Sequence, residues 1–332
     1  MKRNILLSAV SAILLGAALM PVSASDCTGF LPPNDLKIPV GSADDKGIVE
    51  AQFNEVMNIV EKIYKPQVAA LGKVLELRRL WTDATVNASA QQSGNRYILN
   101  MYGGLARHET ITMDGMALVA CHELGHHLAG APKVSSWASN EGQSDYYANL
   151  KCLRQVFADS SANAFTRKSE GDEVAEKGCE AMYTSPQDRA ICYRAAMAGK
   201  SVAYLFKALR NETVIPRFDT PSKVVVTSMM GSHPPTQCRM DTYLAGSLCT
   251  QPVSAPLSGT NPAVGTCTRS AGFQAGFRPL CWYKPANPAE LLPPVTNTHA
   301  SRAADALTEP GQAFSVLNGA YPWDSLRSPL AR

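Results

Sequence analysis

The chain has no Cys-x-x-Cys pair among its nine cysteines, which argues against a thiolate zinc cluster. It has no basic run interleaved with aromatics, and its formal net charge is only +3. Neither a nucleic-acid surface nor a charged membrane surface is therefore expected. No internal repeat recurs, so repeat architectures are excluded. After Met20 there is no second long apolar run, so no stable membrane insertion is expected once the N-terminal segment is removed. What is present is a globular composition. The 332 residues are 45% hydrophobic and 18% charged, enough for one sizeable core or two small ones.

The N-terminus carries an address. Lys2 and Arg3 precede the apolar run Ile5 to Met20, followed by Pro21 and the small stretch Val22-Ser23-Ala24. Residues 1–24 read as a secretory signal peptide cut after Ala24; the run is short for a membrane anchor. Asp26 before Cys27 argues against a lipid-attachment cysteine. The expected location is the periplasm or the cell exterior, where disulfides persist. Eight cysteines can pair and one is left over. The short-range pairs Cys179–Cys192, Cys238–Cys249 and Cys267–Cys281 are expected, with Cys121 as the free thiol.

Residues 25–45 read as an N-terminal loop, and 251–332 as a Pro-rich, partly irregular C-terminal extension. Between them, 46–250 form the expected catalytic domain. Helical spacing covers 45–64, and strands are expected at 73–81, 84–92 and 96–104, with Ser93-Gly94-Asn95 as a turn. From Met113 to Leu128 the period is helical and apolar on most sides; Thr112 or Thr110 caps the start, and Gly130 and Pro132 stop it. Further helices are expected over 139–157, 172–182 and 186–209, and a short one after Pro235.

The chemistry lies in "ACHELGHHLAG", residues 120–130. On a helix His122 and His126 share one face as two imidazole ligands for a metal such as zinc, with Glu123 beside them as a base. The third ligand is expected from "SNEGQSDYYA", 139–148, where Glu141 and Asp145 again lie four apart. Glu141 would bind the metal, and Asp145 would accept a hydrogen bond from a ligating histidine. His127 is a bystander.

At these residues the chain resembles the minigluzincins, the compact zinc metallopeptidase core shared by CAAX prenyl proteases, HtpX-like membrane peptidases and soluble periplasmic relatives. The resemblance rests on "TVNASA" (85–90), "YILNMYGGLA" (97–106), "DGMALVACHELGHH" (114–127), "NEGQSD" (140–145) and "GSHPPTQCR" (231–239), and covers roughly residues 46–245. It implies a helix-rich α+β zincin-like fold, with a small β-sheet on the N-terminal side, an active-site helix and a glutamate helix. It further implies one Zn2+ per chain on His122, His126 and Glu141, with Glu123 as general base and Asp145 behind the ligands. His233 and Arg239 match family residues that could stabilise an oxyanion, and the strand 96–104 would be a sheet edge for a polypeptide substrate. The chain departs from the family in its cysteine content, in Ser144 where alanine is usual, and in lacking membrane helices. The expected activity is a secreted zinc endopeptidase. The alternative is a periplasmic chaperone-like or binding protein with a structural or rarely catalytic zinc site. The tail after residue 285 is a candidate cover for the cleft.

Overall fold

The computed structural model describes residues 25–26, 29–165 and 171–291. The expected signal peptide, Cys27 and the tail from 292 onward lie outside the described residues. In chain order the elements are β1 (Ser25–Asp26), α1 (Glu50–Ala70), β2 (Val74–Leu80), β3 (Ala88–Ser93), β4 (Arg96–Tyr102), α2 (Gly103–Ala106) and α3 (Met113–Leu128). Then follow α4 (Glu141–Tyr147), α5 (Leu153–Ala158), α6 (Glu173–Met182), α7 (Pro186–Leu209) and α8 (Thr236–Leu248). The molecule is mixed α+β, and helices predominate.

The first helix starts where Gln52 accepts a hydrogen bond from the Val49 amide. It runs past Pro66 to Ala70, further than its apolar spacing suggests. Its buried face, Phe53, Val56, Met57, Val60 and Tyr64, packs on α3. The Thr112 hydroxyl caps α3 by accepting from the Gly115 amide at 3.0 Å. Every α3 residue from Met113 to His126 is buried, because α1, α7, α4 and the sheet surround it.

The sheet order is β1-β3-β4-β2, with β2 parallel to β4 and the other pairs antiparallel. Gly94, at φ +57°, turns the β3–β4 hairpin as its sequence suggests. The strand expected at 84–92 begins only at Ala88. Before it, the Asp83 and Asn87 side chains take backbone amides that a ladder would need. One expectation is overturned. The strand 96–104 is no free edge, because β4 is hydrogen-bonded to β2 on one side and β3 on the other. The outer edge of β3 carries β1, with Ser25 opposite Gln92 and Asp26 opposite Gln91.

The disulfides also correct the sequence reading. Cys179–Cys192 forms as expected. Cys121 is not free: it is bonded to Cys152, across 31 residues. The remaining pairs are Cys238–Cys281 and Cys249–Cys267, not Cys238–Cys249 and Cys267–Cys281. These two nested bridges fasten residues 249–283 onto the back of α4 and α8. Residues 251–291 carry no helix or strand except a 3-10 turn at Pro288–Leu291, yet they are packed. Trp282 is fully buried and donates its indole N–H to Thr242. Its ring covers Gly142, where a Cβ would come within 2.2 Å of it, so only glycine fits there.

Candidate metal centre

Two helices bring the site together. The helix α3 presents His122, Glu123 and His126. After the turn through Gly130 (φ +73°), the Asn140 side chain caps α4 by accepting from the Gln143 amide, and α4 presents Glu141 and Asp145. The helices touch at Gly125, where a Cβ would sit 2.9 Å from Ser144 Cα. Past Tyr147 the chain widens into a π-type turn, Ala148–Cys152, which ends at the disulfide to Cys121. One covalent link therefore ties together the two elements that carry all three candidate ligands.

His122, His126 and Glu141 form a buried group whose ligand atoms all lie within 4.8 Å of one another. His122 Nε2 is 3.3 Å from Glu141 Oε2, and His126 Nε2 is 3.6 Å from Glu141 Oε1. The far nitrogens are anchored. His122 Nδ1 donates to Asp145 Oδ1 at 2.7 Å, and His126 Nδ1 donates to the Ser139 carbonyl at 2.9 Å. Both Nε2 atoms and Glu141 Oε2 have no hydrogen-bond partner despite full burial. Such orphaned atoms are costly unless something binds them. Two imidazole nitrogens and a carboxylate oxygen, each with a free lone pair, fit a divalent metal. The group could hold a metal ion.

Asp145 is the hub behind the ligands. Its Oδ1 accepts from His122, from Arg239 Nη2 at 2.6 Å and from the Tyr243 hydroxyl at 2.9 Å. Gly199 lets Tyr243 in: a Cβ there would lie 2.4 Å from Tyr243 Cβ. Burial alone would raise the Asp145 carboxyl, but Arg239 and His122 hold it down as a carboxylate. Burial would likewise lower the His122 imidazole, but Asp145 and Glu141 raise it to about 9. His126, with no carboxylate behind it, is lowered by burial to about 4. For Glu141 the two histidines outweigh burial and depress its carboxyl.

Glu123 is completely buried, and neither of its oxygens has a hydrogen-bond partner. Burial raises its carboxyl to about 8, a value suited to exchanging a proton. His233 Nε2 lies 3.5 Å from Glu141 Oε2 and donates to the Gly29 carbonyl at 2.8 Å. Arg239 is fully buried, with Nη1 on the Phe30 carbonyl at 3.0 Å and 3.9 Å from Glu141. Its guanidinium donates to Asp145, Tyr243 and the Phe30 carbonyl. His127 stands apart from the group, stacked between the rings of Tyr97 and Trp137.

Sequence reasoning brings together His122, Glu123, His126, Glu141 and Asp145. It misses Tyr243, the Ser139 carbonyl, Ser144, whose hydroxyl is 3.2 Å from His126 Nδ1, and Phe30, whose ring meets His122 edge-on at 4.8 Å. Only Ser144, standing at a position where alanine is usual, carried a signal. No family model matches the chain, no curated protein matches its sequence, and no solved structure matches its fold.

Proposed function

We propose that the protein is a zinc-dependent endopeptidase that hydrolyses peptide bonds of a polypeptide substrate, acting in the periplasm or outside the cell. One observation carries this reading. Three unpartnered ligand atoms on His122, His126 and Glu141 converge beside Glu123, a buried carboxyl that is also unpartnered. A structural metal would need the first three but gains nothing from the fourth. The resemblance to the minigluzincins supports the same reading.

A bound zinc supplies Lewis acidity toward a carbonyl oxygen and makes water at the site more acidic. The chain supplies the rest. Glu123 takes the proton from the attacking water and delivers it to the leaving amine, a transfer its raised pKa suits. Asp145 fixes the His122 tautomer with Nε2 free, and the Ser139 carbonyl does the same for His126. His233, beside Glu141, is the donor for the oxygen of the attacked carbonyl. Arg239 is a positioning residue, because it holds Asp145.

Four disulfides suit an oxidising compartment, and among the described residues no helix is long and apolar enough to cross a membrane. The complete burial of His122 and Glu123 favours a second reading, a chaperone-like or binding protein with a structural zinc. Zinc analysis with cleavage of unfolded casein, before and after chelation, separates the two. The peptidase reading expects one zinc per chain and cleavage that stops on chelation and returns with zinc. One zinc without cleavage, by the whole chain or with its N-terminal segment released, contradicts it.

A further inference from the structure

A base with no exposed surface cannot meet a polypeptide, so something covers it. The chain's own N-terminal segment lies against the site. Ser25 and Asp26 pair antiparallel with Gln92 and Gln91 on the outer edge of β3. Further along the same edge, the Phe30 amide donates to the Ala88 carbonyl at 2.8 Å, and Asn87 bonds both backbone groups of Leu31. A short stretch of chain thus lies on the sheet edge beside the candidate metal centre, as an extended peptide would.

Its carbonyls make contacts a substrate would compete for. His233 donates to the Gly29 carbonyl and Arg239 to the Phe30 carbonyl, both beside Glu141. The Phe30 ring lies edge-on to His122, with the Arg239 guanidinium 4.7 Å above it. Gly29 is required twice over: its φ is +99°, and a Cβ would lie 2.9 Å from the Asn87 amide nitrogen. With this segment seated, His122 and Glu123 are 0% exposed and His126 1%.

We propose that the outer edge of β3 is a peptide-binding strip whose resident occupant is the chain's own segment Ser25–Asp26 and Gly29–Leu31, which a substrate polypeptide must displace to reach Glu123. The direction of the strip follows from its occupant: a ligand runs antiparallel to β3, with a small residue and then an aromatic at the positions of Gly29 and Phe30. This deepens the peptidase reading and rests on it for the identity of the ligand. The closure itself rests on the backbone bonds alone.

The exposed loop after Asp35 offers the test, because it can be cut in protein already folded. A recognition sequence for a site-specific protease is inserted between Asp35 and Leu36 in the zinc-loaded full chain. The rate at which a chelator strips zinc is measured before and after the cut, alongside casein cleavage. A site open only part of the time reacts in proportion to that fraction, so releasing the segment should raise zinc exchange at least about tenfold. A synthetic peptide of residues 25–35 should reverse the rise. Phe30→Ala in the uncut chain should move exchange the same way, and the cut protein decides the matter should that variant not fold. Unchanged zinc exchange after the cut, with the segment released or retained, overturns the proposal. Faster exchange without casein cleavage upholds the closure and removes the peptidase reading. Equal cleavage before and after the cut, with exchange unchanged, does the reverse.

Discussion

Asp145 Oδ1 receives the His122 Nδ1 proton at 2.7 Å, with neither group exposed to water. That bond decides which imidazole nitrogen faces Glu141, and so whether His122 can bind a metal. Asp145→Asn should therefore weaken zinc binding by about 10–100-fold. Competition against a chelator of known affinity measures this. Unchanged affinity would mean that the hydrogen bond does not set the tautomer.

The metal-free protein should respond to pH in a definite sense. The His122 imidazole is raised to about 9 against burial, by Asp145 and Glu141, and the Glu123 carboxyl is raised by burial to about 8. A group with a raised folded-state pKa contributes stability that is full below its unfolded value and lost as pH rises through its folded value. For His122 the loss runs from about pH 6.5 to about 9 and for Glu123 from about pH 4.5 to about 8, so both lose stability between about pH 6.5 and 8. The metal-free protein should melt at lower temperature as pH rises through that range. The shift in melting temperature on adding zinc should grow over the same range, because zinc displaces the His122 proton. Thermal melts with and without zinc test this, and a zinc-induced shift that shrinks with pH contradicts it.

The Cys121–Cys152 bridge should act on the site as well as on stability. Its 31-residue loop corresponds to about 3–4 kcal/mol in the chain-entropy account. The 13-residue Cys179–Cys192 loop corresponds to about 3 kcal/mol. Replacing either pair with alanine should lower the melting temperature. Only loss of Cys121–Cys152 should also weaken zinc binding, since that bridge alone joins the two ligand-bearing elements. Equal zinc affinity in the two double variants would refute the coupling.

The candidate ligands were legible because they are local. His122 and His126 are one helical turn apart, and Glu141 and Asp145 repeat that spacing on the next helix. The bounds of α3 and α7 were legible for the same reason, from Thr112, the Ser185-Pro186 pair and an unbroken apolar period. What was hidden depends on how distant segments pack. Cys121 meets Cys152 only after α4 folds back over α3 at Gly125. Arg239 and Tyr243 reach Asp145 across more than ninety residues. β4 became the interior strand because β2, earlier in the chain, returns to its far side in parallel, an order that alternation cannot encode. Residues 25–26 and 29–31 read as loop because their bonds go to β3 and to side chains from the far end of the domain.

Glu123→Gln tests the central claim most directly. The amide keeps the size of the side chain but cannot take a proton, and it leaves His122, His126 and Glu141 in place. The variant should bind one zinc per chain with affinity close to that of the parent. Its cleavage of unfolded casein, measured with the N-terminal segment released by the cut after Asp35, should fall by about 10²–10⁴-fold. Full zinc occupancy with casein cleavage retained at the parent rate would contradict Glu123 as the base, and with it this account of the site.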